Sequence, residues 1–262
     1  MFTAEALARR DRAVTLTALA ILAALAWVYL VQAARGMSAM EMHAAMGMVM
    51  SPLRPWSLVD AGLLFVMWAV MMVAMMLPSA SPMILMFATI NRRRLEQGRP
   101  AVRIGVFAAG YVLLWTAFAA VAALAQWALH AVAFLSPAML ATSPVLGGSL
   151  LVAAGVFQWS RLKAACLANC RSPLAFLMTE WREGARGAFV MGLRHGTYCV
   201  GCCWLLMALL FVAGVMNLVW VVALAAFVLA EKAVPGGGRV ARAAGILLVI
   251  GGAVVLLRPW LG

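Results

Sequence analysis

Apolar residues in this chain come in long blocks, not in the short alternation of strands. Seven blocks stand out, at about 13–34, 58–90, 104–134, 145–160, 187–215, 218–230 and 240–257. A helix of about 20 apolar residues crosses a bilayer. The pattern therefore predicts an all-α polytopic transmembrane helical bundle of about seven spans. The blocks at 145–160 and 218–230 are short, so one of them being re-entrant would leave six. Neither an internal repeat nor a second domain stands out. The whole chain, 1–262, reads as one membrane domain, with a methionine-rich extracytoplasmic loop over 35–57.

Composition strengthens this picture. The chain is 66% hydrophobic and 11% charged, with a mean hydropathy of +1.02. Soluble domains carry roughly 25% charged residues, so lipid is the solvent and partner that the surface expects. The first apolar block is too long for the core of a cleavable leader and lacks a convincing cleavage site, so it reads as an anchor. The net charge of +12 invites a nucleic-acid partner, but its distribution excludes one. Basic residues gather at block ends: Arg9, Arg10 and Arg12; Arg92 to Arg94, Arg99 and Arg103; Arg161, Lys163, Arg171, Arg182 and Arg186; Lys232, Arg239 and Arg242. That is the positive-inside pattern. It predicts a multi-pass protein of a bacterial-type inner (plasma) membrane with a cytoplasmic N-terminus. Only Arg35, Arg54 and Arg258 then fall outside, and Arg194 falls within the fifth block.

Soft metal ligands are concentrated in three places. The stretch "MSAMEMHAAMGMVM" holds Met37, Met40, Met42, His43, Met46, Met48 and Met50. Thioether sulfur prefers Cu(I) and needs no deprotonation. Methionine clusters thus suit copper capture in an oxidising compartment, although an interfacial amphipathic helix can also use Met as flexible filler. The second block continues the theme. Met71 and Met75 are four apart, as are Met72 and Met76, and residues four apart share a helix face. Pro78 and Pro82 follow, each able to kink or break a helix, with Ser79 and Ser81 placed to satisfy freed carbonyls. A Met-rich packing face with a proline kink is the plainer account of this stripe.

The third place is "HGTYCVGCCW", 195–204. In helical register Met191, His195, Cys199, Cys203 and Met207 are each four apart, and Cys202 lies three beyond Cys199. His195 to Cys203 falls roughly 12–24 Å from the start of the fifth block, near the bilayer middle. Ionisable residues at that depth are costly and usually functional. No single ion touches the whole drifting face, so His195, Cys199 and either Cys202 or Cys203 form the expected core. Arg194 could balance thiolate charge or pair with a carboxylate, and Gly196 and Gly201 admit a close neighbour helix. Buried cysteines acting as small hydrophobes are the structural alternative. Cys166 and Cys170, in "CLANCRSP", share a helix face and could hold one soft ion. Their expected cytoplasmic side disfavours a structural disulfide. Whether they fold back to join the fifth-block cluster stays open at this level.

The motifs Cys-x-x-x-Cys-Arg-Ser-Pro and His-Gly-x-Tyr-Cys-x-Gly-Cys-Cys-Trp, with "VMMVAMMLPS" upstream, resemble those of a domain-of-unknown-function family described as predicted metal-binding integral membrane proteins. The resemblance covers most of the chain from the second block to the sixth. It implies metal binding at Cys166, Cys170, His195, Cys199, Cys202 and Cys203, without fixing the metal.

Three functions compete on these residues. The first is a non-enzymatic Cu(I) protein that transports copper or delivers it to a membrane or periplasmic cuproenzyme. Copper is favoured over zinc because borderline and hard ligands are few. The second is a membrane thiol–disulfide oxidoreductase using Cys199/Cys202 and Cys166/Cys170, a chemistry that ignores methionine. The third is a structural or assembly subunit with packed cysteines.

Overall fold

Long apolar blocks with few breakers fold as helices because each backbone polar group must find its partner within the segment when water is absent. The computed structural model describes residues 4–45, 57–131 and 143–261. In chain order the helices are α1 (Ala4–Ala45), α2 (Leu58–Glu96), α3 (Ile104–Ala131), α4 (Pro144–Phe157), α5 (Arg161–Arg171), α6 (Pro173–Glu180), α7 (Gly184–Ala208), α8 (Leu210–Ala213), α9 (Leu218–Ala233) and α10 (Gly237–Leu261). Among the described residues every regular element is an α-helix.

Among the described residues, five helical stretches are long and apolar enough to cross a membrane: Arg12–Met37, Leu58–Glu96, Ile104–His130, Gly184–Ala213 and Gly237–Leu257. A sixth is counted if α4 and α5, bent by 64°, form one broken span. Two of the seven expected blocks correspond to α4 and α9, which have 14 and 16 residues. At 1.5 Å per residue, each falls short of the ~30 Å hydrocarbon core.

Local chemistry sets several boundaries. Ser57 and Asp60 form a reciprocal capping box at the start of α2. Pro78 and Pro82 lie inside α2, yet the helix runs on unbroken to Glu96. The Ser81 hydroxyl donates to the Pro78 carbonyl at 2.8 Å, which is the carbonyl that Pro82 leaves without an N–H partner. Ser79 donates to the Met76 carbonyl at 2.9 Å, not to the Ala74 carbonyl that Pro78 frees, so only Ser81 meets the expectation. The bend between α4 and α5 ends at Ser160, whose hydroxyl accepts from the Lys163 N–H at 3.1 Å and restarts the helix as an N-cap.

The helices pair as α1 with α2, α2 with α3, α3 with α7, α4 with α10, and α5 with α7. Without a hydrophobic force between helices in lipid, small residues let backbones approach. A Cβ on Gly192 of α7 would run into the Phe107 carbonyl of α3, and one on Gly155 of α4 would sit 2.7 Å from the Gly245 carbonyl of α10. The core draws on every helix from α1 to α9, with Ala26 and Leu30 of α1, Ala154 of α4 and Leu210 and Phe211 of α8 joining the larger contributions of α2, α3 and α7.

Candidate metal centre

The α7 face expected from the sequence is real and turned inward. Met191, His195, Cys199, Cys202, Cys203 and Met207 are all buried, as are Gly192, Gly196 and Leu206. Cys202 and Cys203 donate their thiols to the Cys199 carbonyl at 3.1 and 2.9 Å.

The open question about the second cysteine pair has a structural answer. Helix α5 folds back onto α7, so that the Cys170 thiol meets those of Cys199 and Cys202. Cys166 neighbours Cys202 and faces Gly201, where an added Cβ would lie 2.7 Å from its sulfur. All five cysteines are free and buried. Gly201 therefore admits a sulfur of α5, while Gly196 admits Leu114 of α3.

Cys199 is the hub. Its Sγ lies 3.1 Å from the Tyr111 hydroxyl and accepts from Lys232 Nζ at 2.9 Å. Lys232 Nζ also donates to Ser79 Oγ at 2.9 Å, and Tyr111 donates to the Met76 carbonyl at 3.0 Å. The proline-marked turn of α2 thus closes the cluster on one side and α9 on another. Lys232 is held from behind: its neighbour Glu231 makes a two-pronged ion pair with Lys163 of α5, 2.8 Å to each oxygen, with both side chains 1% exposed.

His195 is buried, but its ring packs into an aromatic box. It stacks on Tyr111 (centroids 5.3 Å) and Phe107 (6.2 Å) and meets the edge of Phe176 (5.7 Å). Its Nδ1 has no hydrogen-bond partner. Among the described residues no three His, Cys, Asp or Glu side chains are set as a preformed metal site. The side chains explain this: two thiols are engaged with the Cys199 carbonyl, Lys232 occupies the approach to Cys199, and His195 is turned among rings. What exists is a buried cluster of thiols from α5 and α7.

The other expected ligands fall in three groups. Met71, Met72, Met75 and Met76 are fully buried in the same core as the α7 cysteines. Helix α1 continues through Ala45 and carries Met37, Met40, Met42 and His43. Met46, Met48 and Met50 lie outside the described residues. Arg194 pairs with Glu180 of α6, so the positive charge at the thiols comes from Lys232 instead.

Tyr111 and Glu231 were not singled out by sequence reasoning, and Lys232, Lys163 and Ser79 were read only as block-end charges and a helix-backbone donor, not as parts of the site. The one available signal was adjacent ionisable residues at the end of an apolar block, obscured by the Gly/Pro run "VPGGGR" just beyond.

The chain matches, over residues 65–255, the protein family described as PpoB2, copper chaperone. It belongs to this copper chaperone family. The match runs from α2 into α10 and so contains the whole thiol cluster, the α2 methionines and Lys232, while α1 lies outside it. Among curated proteins and among solved structures, none matches.

Proposed function

We propose that this member of the copper chaperone family is an inner-membrane Cu(I) carrier that passes its ion to a membrane or periplasmic cuproenzyme. One observation carries the reading: cysteines of two helices, Cys170 of α5 and Cys199 and Cys202 of α7, meet in one buried place within the matched stretch. Thiolates are among the ligands that select Cu(I). In this reading the ion is cargo, held by two thiolates drawn from Cys170, Cys199, Cys202 and Cys203, with Cys166 beside them. His195, whose Nδ1 is unpartnered, stands one turn away as a further ligand. Met191 and Met207 continue the α7 face at either end. Met71, Met72, Met75 and Met76 form the route along α2, and Met37, Met40, Met42, His43, Met46, Met48 and Met50 the outer capture stretch. The chain acts as one membrane domain with a cytoplasmic N-terminus, and α4 and α9 complete seven passes as short spans.

The meeting of Cys170 with Cys199 and Cys202 also suits a second reading, in which the two thiol pairs exchange electrons as a dithiol–disulfide relay with a quinone-type acceptor. Copper content separates the two. Detergent-purified protein, reduced and then loaded with Cu(I) against a chelator, retains tight copper in the parent and loses it in a Cys199→Ser/Cys202→Ser/Cys203→Ser variant. A parent without copper above background, whose thiols cycle to a disulfide on oxidation, would overturn the copper reading in favour of the relay.

A further inference from the structure

Lys232 is the one cationic side chain the structure brings onto the cysteine sulfurs among the described residues. Its ammonium sits 2.9 Å from Cys199 Sγ and 2.9 Å from Ser79 Oγ. It is not placed there by a flexible loop. The end of α9 is gripped by α5 twice: through the buried Lys163–Glu231 pair and through Arg171, whose guanidinium donates to the Val234 carbonyl at 2.8 Å. Glu231 is turned to Lys163, so the carboxylate adjacent in sequence is committed elsewhere.

A fixed positive charge beside a soft-ligand cluster is unfavourable for any incoming cation, but not equally so. Coulomb repulsion scales with the charge of the ion, so a divalent ion feels Lys232 twice as strongly as a monovalent one. The charge count leads to the same conclusion. Two thiolates with Cu(I) sum to −1, and Lys232 brings the buried assembly to zero. The same two thiolates with Zn(II) sum to zero and leave the ammonium uncompensated, and an uncompensated buried charge is strongly destabilising.

We propose that Lys232, pinned at Cys199 by the grip of α5 on α9, is a specificity-determining residue that makes the thiol cluster favour a monovalent soft cation over a divalent one. This rests on the copper reading above and adds to it the reason why zinc is refused at thiols that would otherwise accept it.

The test compares Cu(I) and Zn(II) affinities of the full-length, detergent-purified protein, each measured by competition with a chelator of known affinity. The parent, Lys232→Leu and Lys232→Arg are run side by side, with folding checked by gel filtration and thermal unfolding; leucine removes the charge without adding a soft donor. The expected result is a ratio of Cu(I) to Zn(II) affinity that falls by about tenfold or more in K232L, from the loss of one unit of charge repulsion. K232R, which keeps the charge, retains the parent ratio. A residue with a merely structural role would weaken both metals together and leave the ratio alone, and that outcome would overturn the proposal while leaving copper binding intact. A parent that binds no Cu(I) at all overturns the copper reading itself, and this inference with it. Should K232L fail to fold, Lys232→Gln removes the same charge while keeping a donor for Ser79, and the same two outcomes decide.

Discussion

Gly201 is where one missing methyl group decides a helix contact. Cys166 Sγ would lie 2.7 Å from a Cβ at that position, well inside van der Waals distance. The contact is with a side chain of the short helix α5, which Lys163 and Arg171 tie to α9 and so hold close. Gly201→Ala should therefore cost about 1–3 kcal/mol, the usual range for overpacking a core, and should push Cys170 away from Cys199. Thermal unfolding in detergent reads the first effect, and the copper-to-protein ratio reads the second. Removing the offending sulfur in a Cys166→Ala/Gly201→Ala double variant should restore most of the stability. A double variant no more stable than Gly201→Ala alone would mean that the glycine serves something other than this sulfur.

Between elements, the Lys163–Glu231 pair joins α5 to α9 with both side chains out of reach of solvent. Removing one partner of such a pair leaves an uncompensated charge and costs about 3–5 kcal/mol, whereas replacing both by apolar residues is often neutral. Glu231→Gln should accordingly lower the unfolding midpoint sharply, and Lys163→Met/Glu231→Leu should recover most of it. A double variant as unstable as the single would mean that the ionic pairing itself, not mere filling of the space, holds α9. This pairing also shows why parts of the site were hard to read from sequence. The α7 face was legible because a four-residue period in one helix fixes which side chains share a side. The role of Ser81 beside Pro82 was legible because its partner lies three residues away. The approach of Cys170 to Cys199 depends instead on a 64° bend restarted by Ser160, and on non-local ties to α9. No local period encodes these. Lys232 was hidden for a related reason: the chain reads as a Gly/Pro loop there, while the helix persists to Ala233. His195 was expected among the thiols by register alone, but three aromatic rings from α3 and α6 take up its faces.

Over the whole molecule, α2 is the element that leads from the sequence after the methionine-rich stretch to the thiol cluster. It spans 39 residues, roughly 58 Å at the helical rise, which exceeds the thickness of the hydrocarbon core. One end follows the methionine-rich stretch in sequence, and the Met76–Ser79 turn touches Tyr111 and Lys232 at the thiol cluster. Met71, Met72, Met75 and Met76 lie between these points with their side chains buried inside the bundle and not facing lipid. Packing and ion passage make different demands on those four side chains. Leucine has nearly the volume of methionine, so volume-conserving swaps cost little as packing, but leucine offers no soft donor. A Met71→Leu/Met72→Leu/Met75→Leu/Met76→Leu variant should therefore fold and, at equilibrium, hold as much Cu(I) on its thiols as the parent. If the stripe is a route, loading should slow by about tenfold or more, the rate equivalent of one lost soft-ligand step worth about 1.4 kcal/mol. The measurement is the time course of copper uptake by protein reconstituted in vesicles, with a Cu(I)–chelator complex supplied only on the side carrying the methionine-rich stretch. Equal loading rates in the two proteins would assign the methionines to packing and send the ion to the thiols by another path.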